Sequence, residues 1–140
     1  MEYVCDAPGK KTWFRIETEA EAEHESAVME HAVAKHFRQE REKAVATYQP
    51  TSRHVFEQNI GLEPHVQREM PWFLTLRDAE GDGLVTAMVP PGGREQSGFR
   101  MIVVGKGNSD PYPEHGEAIE ALARHLGVKL DRTRCYPYGA

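Results

Sequence analysis

The chain has little sulfur, no long apolar run and no complete catalytic signature. Cys5 and Cys135 are its 2 cysteines in 140 residues. Without a Cys-x-x-Cys pair they supply neither a disulfide framework nor a zinc ligand set. In a reducing compartment both are expected as free thiols, with structural or incidental roles favoured over a metal or redox pair. No stretch approaches the roughly 20 apolar residues that cross a bilayer, so no membrane partner is expected. The stretch Met1 to Asp6 has no basic region and no apolar core of the kind that marks a secretory signal. A cytoplasmic location is therefore expected. Positive charge is short as well: 17 Lys and Arg face 22 Asp and Glu, for a net charge of −5. That balance weighs against a nucleic-acid partner. Also missing are the Gly-x-x-x-x-Gly-Lys-[Ser/Thr] and Gly-x-Gly-x-x-Gly phosphate loops and the Gly-x-Ser-x-Gly nucleophile elbow.

What is present is periodic. Hydrophobic residues make up 39% of the chain, and they cluster in runs suited to one core. The reading is one domain over residues 1–140. After a lead-in with a Pro8-Gly9 turn, residues 12–18 alternate, Phe14 and Ile16 facing one way and Trp13, Arg15 and Glu17 the other. This predicts a half-buried strand. Lys10, Lys11 and Arg15 around Trp13 form a small basic-aromatic patch that suits a stacked base. An exposed strand face is the favoured reading of it.

From Glu19 to Tyr48 the spacing predicts one helix. Ala22, Ser26, Met29, Val33, Phe37, Ala44 and Tyr48 form its stripe. Thr18 and Glu21 read as a capping box, and Gln49-Pro50 as the stop. Glu21-x-x-His24 matches a di-iron ligand pattern, but its required second copy is absent. His24 and His31 lie off the stripe and read as solvated, and His36 lies at its edge. Residues 51–70 are ambiguous: Arg53 to Gln58 fits a strand or a helical turn, and Pro64 fits the start of a short helix.

Trp72 to Arg77 and Leu84 to Val89 read as strands joined by a hairpin through Asp78-Ala79-Glu80-Gly81-Asp82-Gly83. The link imitates the opening of a calcium loop, yet the position of its bidentate acid holds Val89. A plain turn is favoured, and no metal is expected. A breaker-rich loop follows from Pro90 to Gly98.

The most informative stretch runs from Phe99 to Leu130. Met101 to Val104 is apolar on both faces, as in a central strand. Pro113 to Leu126 reads as a helix with Ile119, Leu122, Ala123 and Leu126 as its core stripe. Gly127 is placed to end it, and Val128 to Leu130 to return as a parallel strand. The intervening loop would then lie where open α/β sheets bind ligands. Gly105, Lys106, Gly107, Asn108 and Ser109 are the candidate anion-binding residues. His115, near the helix start, is the candidate general base, with Asp110 or Glu114 as its acid partner. The competing reading is an ordinary strand-to-helix turn.

The expected fold class is α+β, with α/β as the alternative: a single mixed sheet of about five strands, two main helices and a C-terminal β-α-β unit. The expected function is a non-enzymatic binding or regulatory module with no cofactor, its partner a small anionic ligand or a protein. One alternative is a small enzyme or phosphate-ligand-binding protein using Gly105 to Asp110 and His115. A second is weak nucleic-acid binding through Lys10 to Arg15. The tail around Cys135, Tyr136 and Tyr138 reads as docking on the core or binding a partner.

Overall fold

The computed structural model describes residues 1–50 and 60–137. One five-stranded sheet organises it. The strands are β1 (Glu2–Ala7), β2 (Lys11–Ile16), β3 (Trp72–Arg77), β4 (Gly83–Val89) and β5 (Ile102–Val104), and they pair in chain order, each antiparallel to the next. Helices α1 (Glu19–Met29), α2 (Val33–Ala46) and α3 (Leu62–Glu69) lie in the chain between β2 and β3, and α4 (Tyr112–Leu126) follows β5. The fold class is α+β, as the residue pattern implies. No helix among the described residues is long and apolar enough to cross a membrane. The segment Arg53 to Gln58, with His54, lies outside the described residues.

Both faces of the sheet are covered, which explains the burial of β3. Leu74 and Leu76 join Trp13, Val85, Ala87, Val89 and Val103 in a cluster under Ala118, Ile119 and Leu122 of α4. Phe73 points the other way and joins Ile16 with Ala22, Val33, Ala34, Phe37, Ala44 and Val66 from α1, α2 and α3. Phe37 and Phe73 meet with ring centroids 5.2 Å apart. A strand buried on both faces belongs in the middle of a sheet, and β3 holds that place.

Three local expectations hold. Thr18 caps α1, and Glu21 returns the bond to the Thr18 amide in a full capping box. Asp78 to Asp82 form the hairpin turn, with Asp78 Oδ1 accepting the Glu80 and Asp82 amides at 3.0 and 2.9 Å. Gly127 ends α4 in the left-handed conformation at φ 72°. Three others are corrected. The lead-in before Lys11 contains a strand, β1, whose pairing slips by one residue between Tyr3 and Cys5. The long helix is two helices, broken at Glu30 (φ 54°, ψ 49°). Arg38 reaches back to Glu19 and Glu23 at 3.5 and 3.6 Å, so α2 folds antiparallel onto α1.

The third correction concerns the C-terminal β-α-β unit. The sheet contains no parallel strand pair, β5 is an edge strand, and residues 128–130 form no strand. Val128 and Leu130 are apolar because they pack as coil beneath α4. The outer edge of β5 is taken instead by the tail. Tyr136 donates its amide to Met101 O at 2.8 Å and accepts from Val103 N at 3.3 Å. This covers hydrogen-bonding groups that an edge strand otherwise leaves open. Residues 135–136 of the tail thus dock on the core, and Tyr138 lies outside the described residues. Cys5 and Cys135 are free thiols buried in the α4-side cluster, and burial pushes both thiols up.

Candidate ligand cavity

The site is built on a buried polar chain. Glu25 sits one turn after Ala22 and one before Met29, on the inward stripe of α1, and it is fully buried. An isolated carboxylate there would be costly, so the sheet supplies partners. Arg77, at the end of β3, donates Nη2 to Glu25 Oε1 at 2.6 Å. Its other nitrogens go to Thr75 Oγ1 at 3.1 Å and Gly81 O at 3.0 Å. Thr86 on β4 donates its hydroxyl to Glu25 Oε2 at 2.7 Å.

That last bond fixes the state of His31. A hydroxyl has one hydrogen, and Thr86 gives it to Glu25. The 2.8 Å contact between His31 Nε2 and Thr86 Oγ1 must then be an imidazole N–H donating to the hydroxyl. His31 thereby carries a proton on Nε2, and acceptance at Nδ1 makes it the neutral tautomer. Its Nδ1 lone pair faces the Val33 amide at 3.4 Å, and Ser26 Oγ accepts the Ala34 amide at 2.8 Å. Together they cap α2, whose N-cap residue Ala32 has no side-chain oxygen to offer. Burial lowers the His31 pKa from its ordinary value, against the pull of the Glu25 charge.

Beside this chain lies a cavity of about 280 Å³. Thr86 and Met88 of β4 and Ile102 and Val104 of β5 share one face of the sheet by their pairing, and they line it. His31, Ala32, Val33 and His36 form the helical wall, while Phe73, Asn108, Tyr136 and Pro137 close the remainder. The hollow lies where the junction of α1 and α2 leaves the β4–β5 strip without a helix over it. A second hollow shares His36, Met88, Ile102 and Tyr136 with the first and adds Glu40, Phe99 and Arg100.

No family model matches the chain, and neither the curated proteins nor the solved structures hold a match.

The residues singled out in the sequence are distributed differently. Of the Gly105 to Asp110 loop, Asn108 alone lines the cavity. The loop turns on itself: Gly105 N donates to Ser109 O at 2.8 Å, Asn108 N to Gly105 O at 3.1 Å and Ser109 N to Lys106 O at 3.2 Å. Those three amides are directed at the loop's own carbonyls rather than at an anion. A Cβ at Gly105 would stand 2.7 Å from Ser109 Oγ, which would have to turn aside. Lys106 and Gly107 are exposed.

Asp110 and His115 have separate partners. Asp110 caps the Tyr112 amide at 3.1 Å and pairs with Arg132 at 2.8 Å. His115 Nδ1 meets Lys11 Nζ at 3.1 Å, and its Nε2 lies 3.8 Å from Glu114. Burial, then the Lys11 charge, lowers the His115 pKa.

The basic-aromatic patch does not assemble as one surface. Trp13 is fully buried and donates Nε1 to Ala118 O at 2.8 Å. Arg15 stacks on Trp72 at 4.5 Å. His31, expected in solvent, is half-buried in the cavity wall, whereas His24 is exposed. Among the described residues no cluster of three or more His, Cys, Asp or Glu is arranged to hold a metal.

Glu25, Arg77, Thr86 and Arg100 went unflagged in the sequence. One signal was there to find. Glu25 is three residues from Ala22 and four from Met29, a charge on an apolar stripe, and such a charge needs a buried partner.

Proposed function

We propose that the protein is a non-enzymatic binding domain that holds the apolar body of a small molecule in the cavity between the α1–α2 junction and β4–β5. One observation carries the reading: an apolar hollow of about 280 Å³, walled without a lysine, arginine, aspartate or glutamate, stands against a buried chain whose charges are already paired. Concave apolar sites with a few fixed polar groups are the usual form of a ligand pocket. At about 280 Å³ the hollow lies at the small end of ligand pockets and suits a compact body. A non-enzymatic role is supported by the polar groups already in use. Thr86 gives its proton to Glu25, and both His31 nitrogens have partners.

The test is an NMR titration with 2-naphthamide, a neutral compound with a ring system of matching size. Amide shifts are expected at Met88, Ile102, Val104 and Val33. Ile102→Trp, which fills the hollow from its floor, should abolish them while leaving the thermal melt cooperative. Shifts that are absent, or that persist in Ile102→Trp, would refute the reading.

A further inference from the structure

The second hollow carries what the first lacks, a cation that pairs with no carboxylate among the described residues. Arg100 lies with its Cζ 4.5 Å from the centre of the Tyr136 ring. Tyr136 is also a wall of both hollows. Among the described residues no ion pair is made by Arg100, whereas Glu40 in the same wall is paired with Lys43 at 3.3 Å. Glu40 is therefore engaged by Lys43 and not by Arg100, which keeps its N–H groups for another acceptor, and His36 lines the same hollow. A guanidinium held over a ring face by its carbon can still offer N–H groups to an acceptor beside the ring.

We infer that the ligand is a compact apolar monocarboxylic acid, its ring or branched body in the hollow floored by Ile102 and its carboxylate at Arg100. This rests on the proposed function and names the chemistry of the occupant. The apolar hollow accepts no charge, because a carboxylate there would lose its hydration without gaining a cation. The adjoining hollow supplies the cation within reach of the shared wall. A guanidinium edge fits a carboxylate better than a cationic or neutral head.

Three probes with one body and different heads test it: 2-naphthoate, 2-naphthamide and 2-naphthylmethylammonium, titrated by NMR and calorimetry at neutral pH. The carboxylate should bind about two- to five-fold more tightly than the amide, the range expected of an exposed ion pair, and the ammonium most weakly. The carboxylate advantage should shrink at high salt. In Arg100→Gln the ratio of carboxylate to amide affinity should fall to about one, and Arg100→Lys should keep an intermediate ratio. Arg100 is exposed, so its variants are expected to fold, which the melt confirms. Equal binding of the three heads, or a ratio unmoved by Arg100→Gln, would overturn the carboxylate inference while leaving the cavity reading intact. No binding by any of the three would overturn both.

Discussion

Replacing Thr86 by valine removes one oxygen and preserves the shape of a buried β-strand residue. The structure assigns that oxygen two jobs. It donates to Glu25 Oε2 at 2.7 Å and accepts from His31 Nε2 at 2.8 Å. A hydrogen bond to a charged group contributes about 1.5–3 kcal/mol. A buried donor left without a partner costs about 1–3 kcal/mol. His31 is half-buried and can turn toward water, so the second figure belongs at its low end. Thr86→Val should therefore destabilise the fold by about 2–4 kcal/mol, measured by urea unfolding with an unchanged m-value. A second readout separates this from a mere packing defect. Long-range ¹H–¹⁵N NMR should show His31 as the Nε2–H tautomer in the parent protein. In Thr86→Val that preference should relax. A loss below about 1 kcal/mol, or a parent His31 carrying its proton on Nδ1, would refute the hydrogen-bond chain as drawn.

Two further predictions follow from neighbouring groups. His31 and His115 both have pKa values lowered by burial, His115 also by Lys11. As pH falls, the unfolded chain takes up these protons first, so stability is flat above neutrality and drops as pH passes from about 6.5 down through the folded values. His31→Asn, whose oxygen can still accept the Val33 amide, should flatten part of that drop in urea titrations between neutral and mildly acidic pH. An unchanged slope would remove His31 from the linkage. Gly83 stands where an added Cβ would lie 2.8 Å from the Met29 sulfur, and Met29 is fully buried. Gly83→Ala should cost about 1–3 kcal/mol by overpacking. The cost should be less than additive with Met29→Ala, and strict additivity in the double-mutant cycle would rule out the contact.

How much of this was legible depends on whether a feature is local. The capping box, the Asp78–Gly83 turn and the Gly127 stop are written in three to six neighbouring residues, and the structure keeps them. The strand Trp72–Arg77 was legible for the same reason: a short run rich in aromatic and branched residues. Topology was less legible. Val128 and Leu130 carry the same apolar signal whether they pair in a sheet or pack as coil under α4, and spacing does not separate the two. Tyr136, which takes the edge of β5, shows no strand pattern because it supplies a single bridge. The cavity residues were hard to read in the sequence for a related reason. The polar chain joins residues 25, 31, 77 and 86, and no one-dimensional motif spans such distances. The Gly105 loop, by contrast, had the composition of a ligand loop because turns and ligand loops draw on the same residues.

The break between α1 and α2 links the fold to the cavity. An unbroken helix over the 30 residues from Glu19 to Tyr48 would run about 45 Å, against roughly 20 Å for a six-residue strand such as β3. Half of it would overhang the sheet with its apolar stripe in water. Folding back at Glu30 brings Val33, Ala34 and Phe37 onto the same face as Ala22 and Met29. The turn has two costs. It opens amides at the start of α2, and it leaves the β4–β5 strip uncovered. His31 offsets the first by accepting the Val33 amide, and it can do so only while neutral. The Nε2 bond to Thr86 holds the tautomer that presents this lone pair. Glu25, with Arg77 behind it, fixes the Thr86 hydroxyl in turn. The buried ion pair therefore stabilises a helix start at the wall of the cavity, and that wall keeps its shape by the same bonds that keep its charge zero.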